Sequence, residues 1–218
     1  MVGYTWDFSI ILNYKWAILK GTLITLELTI FSIVIGTIIG ILLSLLKLSK
    51  NPFLKYPASI VIETFRDLPL LVLLIWLFYA LPPLVGLRAS AFLTALVGLS
   101  LNLGAFSAEI FRAGIISIAK GQTEASIALG LSKFQTIKDI ILPQATRIII
   151  PPLTGRYIET IKLTSLASII AVDELFHSGS NIISVSYRPL EVYTVIALIY
   201  LAFIIPFALI LKRLERKK

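Results

Sequence analysis

The chain has 218 residues, of which 57% are hydrophobic and 15% are charged, and its formal net charge is +8. This composition excludes a soluble globular domain and predicts an all-α membrane protein. Cysteine is absent and there is one histidine, which excludes disulfides, a thiol nucleophile and a metal site built from these residues. In a membrane protein the basic excess reports orientation, so no nucleic-acid partner is expected.

The amino-terminal segment, residues 1–20, is rich in aromatic side chains. Its first apolar run follows an acid and no basic residue, which does not fit a cleavable signal peptide. Tyrosine and tryptophan concentrate where a bilayer meets water, so residues 1–20 are predicted to lie in the interface with the membrane lipid. The aromatic residues are Tyr4, Trp6, Tyr14 and Trp16. Residues 21–218 are then a single transmembrane domain.

Four windows contain no charged residue and are long enough to cross about 30 Å of hydrocarbon at 1.5 Å per residue. They are Leu28–Leu46, Leu68–Leu87, Ala89–Ala108 and Val192–Leu211. Each is predicted to be a transmembrane helix. The sequence GTIIG in the first window, Gly36 to Gly40, has the spacing of a close helix contact, although such matches are also frequent by chance.

Basic residues form three clusters, which the positive-inside rule places together in the cytoplasm. Because four spans would put the second and third clusters on opposite sides, a fifth span is predicted over Ile148–Val172, kinked or broken at Pro151 and Pro152. The amino terminus is then outside and the carboxyl terminus cytoplasmic, with Lys15, Lys20, Arg88 and Arg188 outside. The clusters are Lys47, Lys50 and Lys55; Arg112, Lys120, Lys133, Lys138 and Arg147; Lys212, Arg213, Arg216, Lys217 and Lys218.

A polar stretch, EASIALGLSKFQTIKDIILP, lies between the third and fourth spans. Its apolar residues fall at spacings of three and four, which predicts one apolar stripe on two short helices. Gly130 is predicted to form the bend and Pro143 a break before the next span. Two readings remain open, a helix lying on the bilayer or a docking site for a cytoplasmic partner. The stripe consists of Ile127, Leu131, Phe134, Ile137 and Ile141.

The same stretch carries the spacing of the E-A-A, G, I-x-L-P signature, with a serine in place of the second alanine. On this motif the chain resembles the membrane subunits of ABC importers. The resemblance implies the fold of a type I importer permease, with five transmembrane helices and a cytoplasmic coupling-helix hairpin at about residues 121–143, which fits a cleft on an ABC ATPase subunit. The residues implied in coupling are Glu124, Ala125, Ser126, Gly130, Leu131 and Pro143.

Four further segments narrow the resemblance to the polar amino acid uptake branch, which serves histidine, glutamine and arginine import. They are ETFRDLPLLVLL from Glu63, AEIFRAGI from Ala108, GQTEA from Gly121 and KLTSLASII from Lys162. This branch implies a prokaryotic plasma membrane, a second permease subunit that is identical or a close paralogue, and an extracytoplasmic solute-binding protein. The chain lacks the phosphate-loop motif GxxxxGK[ST], so ATP and Mg are expected on the ATPase subunit and no cofactor on this chain.

Charged residues inside the predicted spans mark a candidate substrate path, because each costs roughly 2.5–3.5 kcal/mol on insertion scales. Glu63 and Arg66 are spaced by three, as are Arg156, Glu159 and Lys162. Either they neutralise one another, or Glu63 and Glu159 face the path and select a basic amino acid such as arginine, lysine or histidine. The candidate substrate-binding residues are Glu63, Asn102, Glu159, Thr164 and Ser165, whereas Glu109 and Arg112 are expected to be structural.

The alternative function is an ion-coupled secondary carrier in which Glu63 and Glu159 relay ions. The sequence shows no internal repeat, which disfavours the inverted-repeat carriers. A membrane-embedded enzyme would need a nucleophile, metal cluster or acid pair, and no plausible one occurs. An ATP-driven import subunit without enzymatic activity of its own is therefore predicted.

Overall fold

A computed structural model describes residues 4–86 and 90–216, and the side chains of all of these except Lys212 and residues 214–216. The predicted positions of Arg88, Lys217 and Lys218 therefore lie outside the described residues. Over the described ranges the chain is helical, without strands. The α-helices are α1 Ser9–Asn13, α2 Lys15–Leu48, α3 Pro52–Asp67, α4 Leu70–Ile75, α5 Leu81–Val85, α6 Ala91–Ile116, α7 Lys120–Ala128, α8 Lys133–Gln135, α9 Leu142–Leu163, α10 Leu175–Ser186 and α11 Pro189–Arg216.

Three described helices are long and apolar enough to cross a membrane. They are α2, α6 and residues Pro189–Leu211 of α11. A fourth candidate is the pair formed by Pro52–Asp67 and Leu70–Val85, if this bent pair is one span. The all-α fold is therefore confirmed, whereas the count of five spans stays a prediction.

The second predicted span, Leu68–Leu87, begins at a bend, and its described residues are helical from Leu70 to Val85. Helix α3 ends at Asp67, and a bend of 104° separates it from the helix that starts at Leu70. The cause is Pro69, which disfavours helical geometry in the residue before it, and Leu68 is extended with ψ 126°. A π turn over Trp76–Ala80 then joins α4 to α5.

Helix α9 is not broken at Pro151 and Pro152, because it is helical through both prolines, and the alternative prediction, a kink there, stays a prediction. Each proline removes one backbone donor, but the flanking turns continue the helix, and the Thr154 hydroxyl donates to the Ile150 carbonyl at 2.9 Å. The helix changes further along, into a 3₁₀ turn over Thr164–Ile170. The region of the predicted fourth span is therefore helical but not uniformly α-helical.

The chain divides into two compact units. The first comprises Met1–Ser32, Pro69–Leu99 and Glu159–Phe207, and the second comprises Ile33–Leu68, Ser100–Ile158 and Ala208–Lys218. In the first unit α2, α10 and α11 share a buried apolar cluster. This cluster consists of Ile18, Leu175, Ile182, Val192 and Ile196.

In the second unit the glycines of GTIIG bring α2 close to α6. A Cβ atom on Gly36 would lie 2.9 Å from the Leu103 side chain, and one on Gly40 would lie 2.7 Å from the Ser107 Cβ. Such distances leave no room for any side chain at either position. The close-contact interpretation of this motif is therefore confirmed.

Candidate functional site

The polar stretch forms the predicted hairpin of two short helices with a bend. Helix α7 ends in a Schellman motif, in which the N–H groups of Gly130 and Leu131 donate to the carbonyls of Ile127 and Ser126 at 2.9 and 3.1 Å. Gly130 has φ +78°, a left-handed conformation that side chains disfavour. Gly130 is therefore the bend, as predicted.

The second helix of the hairpin starts with a capping box. The Gln135 N–H donates to Ser132 Oγ at 3.3 Å, and the Ser132 N–H donates to Gln135 Oε1 at 2.9 Å. This arrangement satisfies two backbone donors at a helix start without any other part of the chain. The hairpin conformation is therefore fixed by its own local hydrogen bonds.

The apolar residues of the hairpin are largely left uncovered by the chain itself. Four of them have between 58% and 80% of their surface exposed, namely Ile127, Leu129, Phe134 and Ile137. Among the predicted coupling residues, Glu124, Ala125 and Gly130 are exposed, Leu131 is half-buried and Ser126 is buried. The Ser126 hydroxyl donates to the Gln122 carbonyl at 2.6 Å, so its role within this chain is to pack inside the hairpin.

Pro143 does not break the chain before the next helix. A π turn over Thr136–Ile141 leads directly into α9, which starts at Leu142. Proline cannot donate to the carbonyl four residues earlier, and a wider turn before it keeps the chain helical. The hairpin is therefore joined continuously to α9, without an intervening loop.

A cluster of charged side chains in the second unit connects α2, α3 and α6. Lys47 Nζ lies 3.3 Å from Glu109 Oε2 and 3.7 Å from Glu63 Oε1. Arg112 also donates to Glu109, with its Nε at 3.0 Å. Glu63 therefore pairs with Lys47 instead of Arg66, whose Nε lies 3.6 Å from Asp67 Oδ1. Glu109 and Arg112 form an ion pair with each other, and the structural role expected of them stays a prediction.

Asn102 and Arg156 meet between α6 and α9 inside the second unit, and both are buried. The Arg156 guanidinium donates to Asn102 Oδ1 and stacks on Phe106, with 3.7 Å between Cζ and the ring centre. Asn102 Nδ2 donates to the Phe65 carbonyl at 3.2 Å. The hydrogen-bond partners of Asn102 thus lie on α3 and α9, within the chain itself.

The remaining predicted substrate residues lie in the first unit. Glu159 is exposed. Thr164 is buried and its hydroxyl donates to the Ile161 carbonyl at 2.7 Å, and the Ser165 hydroxyl donates to the Lys162 carbonyl at 2.8 Å. Ser165 and Lys162 also line a cavity of about 340 Å³ together with aromatic residues of α10 and α11.

Two buried carboxylates, Glu174 and Glu191, hold neighbouring segments of the chain in place, which the sequence did not predict. Glu174 has no exposed surface and caps α10 by accepting from the N–H groups of Phe176 and His177 at 2.9 and 2.7 Å, and from the Tyr200 hydroxyl at 3.0 Å. Burial raises the pKa of Glu174, and these hydrogen bonds partly oppose the rise. Sequence reasoning had little signal for this cap, because the residues preferred at an N-cap are Ser, Thr, Asp and Asn, not glutamate.

The second carboxylate, Glu191, lies in the first turn of α11 and holds the amino-terminal segment. It has no exposed surface and accepts from the Tyr4 hydroxyl, from the Asp7 N–H at 2.9 Å and from Arg188 Nη1 at 3.3 Å. The hydrogen bond to Glu191 raises the pKa of Tyr4. The amino-terminal segment is thus attached to the start of the last helix.

The described residues contain no group of three or more His, Cys, Asp or Glu side chains that could hold a metal ion.

Comparisons with known proteins agree over nearly the whole chain. Residues 6–218 match the family described as binding-protein-dependent transport system inner membrane component. The probable amino-acid ABC transporter permease protein YckA of Bacillus subtilis is 40% identical over 218 residues, covering 97% of this chain and 95% of that protein. The glutamine transport system permease protein GlnP of Escherichia coli is 37% identical over 201 residues, covering 92% of each.

A solved structure of an amino acid transporter has the same fold as this chain. The crystal structure of an amino acid ABC transporter with histidines superposes with a TM-score of 0.91 at 34% identity, covering 99% of this chain and 100% of that one.

Proposed function

Because the chain belongs to the family of binding-protein-dependent transport system inner membrane components, and is a permease subunit of the amino-acid ABC type and not an enzyme, we propose that it carries a polar L-amino acid into the cytoplasm under the control of a separate ABC ATPase. ATP and Mg bind to that subunit. The further partners are an extracytoplasmic solute-binding protein and a second permease subunit, either a second copy or a close paralogue. The amino terminus lies outside and the carboxyl terminus in the cytoplasm of a prokaryotic plasma membrane.

The observation that carries this proposal is the exposed apolar surface of the hairpin formed by α7 and α8. The exposed residues belong to a hairpin whose backbone is held by local capping hydrogen bonds. They are Ile127, Leu129, Phe134 and Ile137. Exposed apolar patches of this kind mark interaction sites, and Glu124 beside them adds a charge at the rim. The ATPase subunit covers this surface and moves the hairpin when it closes on ATP.

The movement reaches the membrane through α9, which follows α8 without a loop. Closure of the ATPase displaces both hairpins of the permease pair, and the central path opens outward. Hydrolysis reverses the movement and releases the amino acid inward. An ion-coupled carrier has no use for a preformed apolar docking surface on this hairpin, so the ATP-driven mechanism is the better supported one.

For the substrate, the carboxylate of Glu159 favours a basic amino acid. Glu159 is an exposed carboxylate on the last turn and a half of α9, close in sequence to the proposed hydroxyl ligands Thr164 and Ser165. A carboxylate binds a guanidinium or ammonium group strongly. Glu63 is a weaker candidate, because Lys47 already pairs with it, and Asn102 would contact the substrate only by giving up its bond with Arg156.

A second candidate substrate is glutamine, because GlnP, at 37% identity, is a glutamine permease by its name. Glutamine is neutral and needs no carboxylate partner for its side chain. The variant Glu159→Gln separates the two substrates. For a basic substrate it should lower the affinity at least about tenfold, since a charge-assisted bond is lost, and leave glutamine uptake unchanged. Unchanged arginine, lysine and histidine affinity in this variant would remove the basic proposal.

Coupling is tested with Gly130→Val in proteoliposomes that contain the permease, its ATPase and the binding protein. Valine at a left-handed position distorts the bend, so ATP hydrolysis should continue while amino acid uptake per ATP falls at least about tenfold. The control is Gly121→Val in the same hairpin, where an added Cβ has no neighbour within 4 Å. Normal uptake by Gly130→Val would show that the hairpin does not couple the two subunits.

A further inference from the structure

A cavity of about 400 Å³ lies in the first unit, lined by the start of α2 and by α10. Its walls carry one cation and one anion, Lys20 and Asp173, and the amide of Asn181, while Ala17 and Ile182 contribute apolar surface. No residue that the sequence singled out for substrate binding or coupling lines it. Its volume falls within the range of roughly 300–1,000 Å³ that is common for small-molecule sites.

The walls of this cavity are held in place by buried contacts. A Cβ atom on Gly21 would lie 2.5 Å from Ser178 Oγ, so α2 and α10 are in direct backbone-level contact beside Lys20. The Leu175 N–H donates to Thr25 Oγ1 at 3.1 Å, and Glu174 caps the same end of α10. Lys20 therefore stands on a helix that is fixed to α10, and Asp173 directly precedes Glu174, the cap of α10, so both charged groups are attached to fixed elements, as a preorganised binding site requires.

The two charges do not pair with each other. Of the ion pairs within 4.0 Å among the described residues, none joins Lys20 to Asp173, and the Asp173 carboxylate lies 3.6 Å from His177 Nε2. Both residues are exposed and line the cavity. A cation, an anion and apolar residues on the walls of one cavity match the two charges and the side chain of a free amino acid.

We propose that this cavity binds a free α-amino acid in its zwitterionic form. The Lys20 ammonium binds the α-carboxylate, the Asp173 carboxylate binds the α-ammonium, and the Asn181 amide adds a neutral hydrogen bond. The inference rests on the proposed function and extends it. Lys20 precedes the uncharged window of α2 and lies on the outer side in the proposed orientation, so the cavity receives the amino acid before it enters the membrane path.

The test uses the permease with its ATPase subunit in detergent, without the binding protein. The probe is whichever of radiolabelled L-glutamine, L-arginine or L-histidine the wild-type transporter takes up with ATP. Lys20→Gln and Asp173→Asn should each weaken one component of equilibrium binding at least about tenfold. Lys15→Gln is the matched control, because Lys15 is also exposed at the start of α2 but does not line the cavity.

A second probe separates direct contact from a structural effect. The α-carboxamide of the same amino acid lacks the charge that Lys20 is proposed to bind. It should bind wild-type protein at least about tenfold more weakly than the amino acid, yet bind Lys20→Gln about as well as the amino acid does. Equal losses for the carboxamide in both proteins would overturn the assignment of Lys20.

Unchanged binding in Lys20→Gln and Asp173→Asn would also overturn the proposal. So would unchanged binding combined with slower uptake in the presence of the binding protein, since these charges would then dock that protein. A wild-type complex that transports no amino acid with ATP would instead contradict the proposed function itself.

Discussion

The hairpin of α7 and α8 and the segment around α10 solve the same problem, holding a short helix in place, by opposite means. Hydrogen bonds between residues at most five positions apart fix the hairpin bend, and its apolar side chains stay exposed. Helix α10 is held by distant partners, Thr25 and Tyr200, and its residues Leu175 and Ile182 are buried. The hairpin thus leaves an apolar surface uncovered, on which we propose that the ATPase docks, whereas Leu175 and Ile182 of α10 are covered by the chain itself.

The largest effect on stability is expected when the support of α10 by Glu174 is removed. Glu174→Ala leaves two backbone N–H groups and the Tyr200 hydroxyl without their acceptor, which should lower the free energy of unfolding by about 3 kcal/mol. Glu124→Ala, in the exposed hairpin, should change it by less than about 0.5 kcal/mol. Thermal unfolding midpoints of the purified subunit measure both, and equal midpoints would remove the contrast between the two regions.

The hairpin should show the reverse behaviour, a binding defect without a loss of stability. Phe134→Ala removes the largest exposed apolar side chain of the hairpin and should weaken binding of the ATPase by about 2 kcal/mol, roughly thirtyfold, as expected of a central interface aromatic. Phe53→Ala on α3 is the matched control, since Phe53 is also highly exposed. Titration of the ATPase onto the permease in detergent measures the affinity. Equal affinities for the two variants would place the docking surface elsewhere.

The smallest effect is expected from the loss of one hydrogen bond that helps to hold α10 in place. Tyr200→Phe removes the bond to Glu174 at 3.0 Å and should lower the free energy of unfolding by about 1 kcal/mol. Tyr193→Phe lies on the same helix and removes a hydroxyl for which the described structure shows no bond, so its midpoint should not change. If both variants unfold at the wild-type temperature, the Glu174 network contributes little to stability.

The same contrast explains what the sequence could predict. The hairpin, its bend at Gly130 and its apolar stripe follow from short-range patterns, because their determinants lie within a few residues of one another. The bend at Pro69 also has a local cause, but the length of a segment without charged residues does not indicate it. Local patterns also mislead, as Pro143 and the pair Pro151–Pro152 show, because neighbouring turns can absorb a missing donor.

The long-range contacts were beyond sequence reasoning. Nothing near Glu191 indicates that Tyr4 and the Asp7 N–H will bind it, and the pairing of Glu63 with Lys47 instead of Arg66 depends on how α2 and α3 meet. The same holds for Arg156, whose hydrogen-bond partner Asn102 lies on another helix. For Glu63 and Arg156 the fold supplies partners on other helices, which spacing along one helix does not indicate.

The central claim, that an ATPase covers the hairpin, is tested most directly by labelling. The chain has no cysteine, so Phe134→Cys gives the subunit a single thiol, and Leu12→Cys on α1, at a position equally exposed, gives the control. Added ATPase, at a concentration that saturates even a variant binding it about thirtyfold more weakly, should slow maleimide labelling at position 134 at least about tenfold and leave position 12 unchanged. Labelling at position 134 that proceeds at the same rate with and without the ATPase would contradict the account.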